Sequence, residues 1–362
     1  MIKNIMLTIL TLCLSLSAYA KTGIFPTATF DNLSYGLYWF GANNQYEKSS
    51  AETSHGSRFY DPNKPTLIFI HGWQKGHITD RDRSVYFEDN NGWPDEDFAN
   101  LWRSEGYNVG ILYWDQFADE SEVKDAEAKI WTATGPRNMR WLDSNGDYHQ
   151  GPNQNVVDIL LESYEQAMQY YTGPELRLAG HSLGNQVALR LADQLVAAQQ
   201  QGKVTSYEVP NRVSLLDPFY SNHSKDYLNG AWVGEKAREI VNRLKSAGMA
   251  IDSYRSSIVT SSVFAGDENK ELSNSVAFTE IKTGFFNQFQ ISEKHSSAVW
   301  LYFWSIIYPT PTVTNSAMPG LSASSTYDDV RQWMFTSDHL VQTAGDNTKD
   351  PQDNLYEQRP GL

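Results

Sequence analysis

The segment Leu176-Arg-Leu-Ala-Gly180-His181-Ser182-Leu183-Gly184 constrains this chain more than any other. A short apolar run leads directly into a serine between two glycines. The i, i+4 stripe of Leu183, Val187, Leu191 and Leu195 then marks a helix. A strand that turns at once into a helix needs small residues at both ends of the turn, because neighbouring backbone comes close to each. The serine at its apex is strained, with its hydroxyl pointing out of the sheet. The helix N-terminus behind it favours developing negative charge. Ser182 is therefore the candidate nucleophile.

The rest of the chain fits the same alternation. Strand-like runs occupy 35–40, 67–70, 107–114, 176–179, 213–216 and 251–264. Helical patterns occupy 97–104, 155–171, 183–200, 235–247 and 296–308, and 116–154 reads as irregular and polar. Several strands are apolar throughout, as strands buried on both faces are. This pattern predicts an α/β fold with a mainly parallel sheet covered by helices on both faces. Reactive groups in such sheets follow the carboxyl ends of strands.

Ser182 needs a base, and the triad order Ser, acid, His leaves His223, His295 and His339 downstream. His295 stands after an extended stretch and just before an aromatic helix. His339 reads as a surface residue of a polar tail. His223 follows Asp217 too closely to reach from a different strand end. The base needs an acid to fix its tautomer. Asp217, in Leu215-Leu216-Asp217-Pro218, and Asp267, in Phe264-Ala265-Gly266-Asp267, each follow a strand-like run, and spacing does not choose between them. Asp252 is a third, more remote acid. Two backbone donors would serve an oxyanion: the Leu183 amide and, after the strand at 67–70, the Trp73 amide in His71-Gly72-Trp73. His71 reads as a structural hydrogen-bonding residue under that loop.

Composition narrows the setting. The chain has 362 residues, 40% of them hydrophobic, which supplies a sizeable core. A net charge of −14 argues against a nucleic-acid partner. Residues 1–20 read as a cleaved export signal: Lys3, an apolar run at 5–17, then Ala18-Tyr-Ala20. That run is too short to span a bilayer. The expected destination is extracellular or periplasmic, with no integral membrane span after cleavage. The only cysteine, Cys13, leaves with the signal, so neither an intramolecular disulfide nor a cysteine metal site can form. Asp143-Ser-Asn145-Gly-Asp147 matches the start of a calcium loop. Tyr148 stands where a glycine belongs and no glutamate closes the loop, so a polar turn is the favoured reading and calcium the alternative.

Taken together, Ile68-Phe-Ile-His-Gly-Trp73, Tyr113-Trp-Asp115, Gly180-His-Ser-Leu-Gly184 and Leu215-Leu-Asp-Pro218, with His295 before a helix, resemble the pancreatic-lipase-type (triacylglycerol lipase) branch of the α/β-hydrolases over roughly 65–305. The resemblance implies an α/β-hydrolase fold and a triad of Ser182, Asp217 and His295, with oxyanion amides from Trp73 and Leu183. It prefers Asp217 over Asp267. It implies a lipase, phospholipase or esterase that cleaves lipid carboxylic esters at a lipid interface without a required cofactor. The alternatives are a non-lipid acyl hydrolase (polyester, feruloyl ester or peptide) and a secreted binding protein on a hydrolase scaffold. The family's disulfides and C-terminal sandwich domain have no counterpart here, so no colipase-like partner is implied. The expected layout is a signal at 1–20 and a hydrolase domain at 21–309. That domain has an arm at 21–64 and possible lid segments at 117–154 and 284–294. A polar extension at 310–362 is packed on the same domain or partly flexible.

Overall fold

A computed structural model describes residues 24–83, 88–89, 96–259 and 266–362. The expected signal at 1–20, with Cys13, lies outside the described residues, as does 260–265 at the end of the expected 251–264 strand.

Eleven strands form one sheet: β1 Gly36–Phe40, β2 Tyr46–Lys48, β3 Thr66–Ile70, β4 Asn108–Tyr113, β5 Leu176–His181, β6 Arg212–Leu216, β7 Ala250–Arg255, β8 Ala277–Glu280, β9 Thr312–Val313, β10 Asp338–Ala344 and β11 Leu355–Pro360. Their spatial order is β9-β11-β10-β8-β7-β6-β5-β3-β4-β1-β2. The run from β4 through β3, β5, β6, β7 and β8 to β10 is parallel. β1 and β2 close one edge antiparallel, and β11 pairs antiparallel with β10. β3 lies between β4 and β5, so the chain reverses direction across the sheet there. This is a topological switch point, and the turn at Ser182 leaves from it. Strand order and that turn make this an α/β-hydrolase fold.

Among the described residues the helices that flank the sheet are α1 Phe98–Ser104, α2 Asp115–Ala118, α3 Val123–Trp131, α4 Val156–Met168, α5 Gly184–Gln200, α6 Val233–Ser246, α7 Ile291–Trp304 and α8 Tyr327–Met334. A short helical turn also runs over Ala28–Asp31 and another over Lys270–Ser273. The helix starts follow local chemistry. Asn155 caps α4 by accepting from the Val157 and Asp158 amides, and Asp97 caps α1 through the Asn100 amide. α4, α5 and α6 pack side by side, while α1 and α7 pack together and α8 covers β7 and β8. Leu67, Ile68, Ile70, Leu178, Val213 and Leu215 are wholly buried, as the continuous apolar runs require.

The 310–362 extension is part of this domain. It adds β9, β10 and β11 to the sheet and α8 to one face. His339 lies within β10 and is buried, against its reading as a surface residue, because strand pairing turns it onto Phe278. Residues 117–154 fold as an insert built around buried charge. Lys129 donates to the Phe117 and Arg140 carbonyls and pairs with Glu120, which also holds Arg140. In the other expected lid segment Phe286 is buried and Phe289 is 79% exposed. Among the described residues no helix is long and apolar enough to cross a membrane.

Candidate active site

The turn from β5 into α5 is as tight as its glycines require. A Cβ on Gly180 would come within 2.5 Å of the Gly184 carbonyl oxygen, and one on Gly184 would strike the Ile70 carbonyl. Ser182 takes a φ of 54°, the left-handed region that L-residues rarely adopt. Tertiary bonds hold it there: its amide donates to the Leu216 carbonyl at 3.2 Å, and its carbonyl accepts from Phe219 N at 3.3 Å. Asn185, fully buried, donates to the Ser182 and Leu216 carbonyls and accepts from Leu216 N. One side chain thus ties the serine turn to the end of β6.

Asp217 leaves β6 with a φ of 41° and is wholly buried. One carboxylate oxygen accepts from the Ser256 and Ser257 amides, at 2.9 and 3.3 Å. The other accepts from the Ser257 hydroxyl and from His295 Nδ1, each at 2.5 Å. Four donors leave the carboxylate little freedom. His295 Nδ1 is therefore the protonated nitrogen. Nε2 is buried without a hydrogen-bond partner, a basic lone pair left open.

His295 was expected on a loop before a helix; it lies inside the first turns of α7, which begins at Ile291. The helix is locked to β7 through Ser256. Its hydroxyl donates to the Lys294 carbonyl at 2.7 Å and accepts from Ala298 N at 3.2 Å. On the other side His181 Nε2 lies 3.1 Å from the His295 carbonyl, and the two rings sit 4.5 Å apart. Burial, reinforced by His295, holds His181 well below the usual imidazole range, so it is neutral and donates that bond.

Gly72 faces the serine directly. A Cβ there would lie 2.8 Å from Ser182 Cβ and 3.0 Å from the His181 carbonyl. The following amide, Trp73, and the Leu183 amide make no hydrogen bond within the described residues. His71 is the structural residue expected. Nδ1 donates to the Gly72 carbonyl at 2.9 Å, and Nε2 accepts from Trp114 N at 3.1 Å. Burial pushes its pKa down to about 3, which keeps the ring neutral. The Trp114 indole returns a bond to the His71 carbonyl.

The rival residues are elsewhere engaged. Asp267 lies 3.7 Å from Arg238 and accepts from the Asn269 amide. Asp252 is buried against Arg212 and the Ser214 hydroxyl. His223 packs edge-on to Trp232. Asp143 accepts from the Asn145 and Asp147 amides and bonds His149, closing the hairpin of Trp141–Leu142 with Tyr148–His149. Its oxygens serve that turn. Among the described residues no group of three or more His, Cys, Asp or Glu side chains is gathered to hold a metal.

Sequence reading missed Asn185, Ser256 and Ser257. Asn185 carried a signal, a polar residue on the inward face of an otherwise apolar helix. The two serines carried none.

No protein-family model and no curated protein matches the chain. Among solved structures it is similar to esterase B from Lactobacillus rhamnosis, at 13% identity over 71% of this chain and 69% of that one, with a TM-score of 0.27. It is similar to a lipase/esterase from Lactobacillus plantarum, at 11% identity over 68% and 88%, TM-score 0.31. It is also similar to the acylaminoacyl peptidase of Pyrococcus horikoshii, at 11% identity over 77% of this chain, TM-score 0.35; it spans only 42% of that longer protein. Sequences this distant and superpositions this loose leave the fold assignment resting on the strand order and the turn at Ser182.

Proposed function

We propose that this chain is a secreted serine hydrolase of lipid carboxylic esters, with Ser182 as nucleophile, His295 as base and Asp217 as orienting acid. The observation that carries the reading is the Asp217–His295 bond of 2.5 Å, with Nε2 left open, beside a serine held at a φ of 54°. His295 takes the Ser182 proton as Oγ attacks the ester carbonyl carbon. The tetrahedral oxyanion accepts from the Trp73 and Leu183 amides. Collapse breaks the bond to the alcohol, which leaves with the proton held by His295. Water, deprotonated by His295, then attacks the acyl-serine, and a second collapse releases the carboxylic acid and restores Ser182. Asp217 holds the Nδ1–H of the ring and stabilises the imidazolium. Every group needed comes from the chain, so the proposed chemistry requires no cofactor.

Support for a lipid substrate comes from two exposed apolar side chains close in sequence to site residues: Phe289 precedes α7, and Ile258, 56% exposed, follows Ser257. Export rests on the sequence of residues 1–20. The test is hydrolysis of p-nitrophenyl esters from short to long chain by the wild type and Ser182→Ala. Turnover that rises with chain length and vanishes in Ser182→Ala is expected. Turnover confined to short or aromatic acyl groups would move the reading to a non-lipid acyl hydrolase. No turnover and no labelling by a fluorophosphonate would leave a binding protein.

A further inference from the structure

The loop that follows β3 is held from below by one short stretch of the insert. The Trp73 indole donates to the Glu120 carbonyl at 2.8 Å. Gln74 N donates to the Ala118 carbonyl at 3.4 Å. The Gly76 and Ile78 amides donate to the two oxygens of Asp119, at 2.8 and 3.0 Å. Asp119 is only 3% exposed. These four ties from residues 118–120 fall on the residues that immediately carry or follow the Trp73 amide. A buried carboxylate that takes one amide with each oxygen fixes both the position and the tilt of a loop, as charge-assisted bonds of defined geometry do.

The anchor is itself anchored. Glu120 is buried between Lys129 and Arg140, and Lys129 also grips the Phe117 carbonyl. The charge network of the insert thus ends on the loop opposite Ser182, where a Cβ on Gly72 would lie 2.8 Å from Ser182 Cβ.

We propose that Asp119 is a positioning residue of the oxyanion site: it clamps the loop after β3 so that the Trp73 amide meets the oxyanion formed at Ser182. The proposal rests on the serine-hydrolase reading. Asp119 touches neither substrate nor nucleophile, and acts only through the amides of Gly76 and Ile78. A donor displaced by a fraction of an ångström binds the ground-state ester as before and stabilises the tetrahedral state less. Substrate binding is therefore spared and the chemical step is slowed.

The experiment compares wild type with Asp119→Asn, whose amide nitrogen cannot accept from a second N–H. Active sites are counted by burst titration with a fluorophosphonate, so that misfolded material does not count. Per-site kcat and KM are measured on a p-nitrophenyl ester the wild type turns over. Inhibition by an alkylboronic acid, which forms a tetrahedral adduct on a serine, is measured alongside. Expected are a per-site kcat lower by about 10- to 100-fold, a KM within about twofold, and boronate affinity lowered by a factor similar to that for kcat. An unchanged per-site kcat and boronate affinity, with only a lower melting temperature, would overturn the proposal and leave Asp119 a stability residue. Should Asp119→Asn give no folded protein, Asp119→Glu, which keeps both acceptor oxygens but displaces them from the Gly76 and Ile78 amides, takes its place, and the same split between kcat and KM decides. A wild type that neither turns over esters nor reacts with the fluorophosphonate overturns the hydrolase reading, and the clamp falls with it.

Discussion

The Asp217 carboxylate and the His295 imidazole meet at 2.5 Å, and the same oxygen takes the Ser257 hydroxyl. The acid is thus oriented before any substrate arrives, and the histidine tautomer is fixed with it. Asp217→Asn retains an oxygen for the Ser256 and Ser257 amides but presents NH2 to the ring, which favours the wrong tautomer. Its kcat on a p-nitrophenyl ester should fall by about 10⁴-fold with little change in KM. Asp267→Asn, which touches Arg238 and not His295, should stay within about twofold of wild type. The reverse pattern would move the acid to Asp267.

Ser182 is held in a backbone conformation that costs about 1–2 kcal/mol for a residue with a Cβ. Glycine carries no such cost. Ser182→Gly should therefore be more stable to urea than Ser182→Ala by about 1 kcal/mol, although both are inactive. Equal midpoints would mean that the turn is not strained.

Gly72→Ala tests the close approach on the other side. Its Cβ would sit 2.8 Å from Ser182 Cβ, between two stretches of backbone held by hydrogen bonds, so the loop must yield. A shift of this kind next to the reacting atoms costs on the order of 10²-fold in rate. Per-site kcat from fluorophosphonate titration should fall by that order. A rate close to wild type would mean that the loop moves freely, which the clamp at Asp119 forbids.

How much of this was legible beforehand depended on which side of the residue carried the information. β3, β5 and β6 and the long helix α5 announce themselves through continuous apolar runs or i, i+4 stripes. Ser182 and Asp217 directly follow strands, where a parallel sheet keeps its reactive groups, whereas His295 lies within a helix. α3 was hidden for a definite reason. Asp125, Glu127 and Lys129 are buried in it, so its sequence lacks the apolar stripe that burial normally imposes. The same charge masked the role of 118–120, because a buried acid in a polar stretch reads like a solvated one. The start of α7 was placed five residues late because Ile291-Ser-Glu-Lys-His295 carries no capping side chain, and tertiary bonds from Ser256 set its first turns instead. β10 and β11 escaped notice because polar and charged residues, among them Asp338, Gln342, Glu357 and Arg359, leave no continuous apolar run in them.

The charge network of the insert also predicts a stability effect. Glu120 is wholly buried and pairs with both Lys129 and Arg140. Glu120→Gln leaves two cations without their counter-charge, and breaking a buried pair from one side costs about 3–5 kcal/mol. The urea midpoint should drop accordingly with an unchanged slope. A drop under about 1 kcal/mol would mean that water reaches Lys129 and replaces the carboxylate.

The pH profile offers a last test, in which activity and stability should part. Burial first, then Asp115 and Glu120, push the Asp119 carboxyl up to about 6, against the two amides that favour its charge. Around it stand Asp115 and Glu120 from its own segment, the latter neutralised by Lys129 and Arg140. The Tyr148 hydroxyl lies 3.4 Å from its carbonyl. In the loop it holds, His77 is kept neutral across this window by burial, which takes its pKa to about 4, with Asp82 at 4.0 Å. As pH falls through about 6, Asp119 takes up a proton and its hold on the Gly76 and Ile78 amides weakens. Its folded pKa lies above the unfolded carboxylate value, so between about 4 and 6 the folded state binds the proton more tightly. This group then adds stability as pH falls. The kcat profile should therefore carry a component that declines as pH falls through about 6. Asp119→Asn should remove that component. The melting temperature of the wild type should not fall in parallel with kcat between pH 6 and 5, and a parallel fall would assign the acid limb to partial unfolding instead of to the clamp.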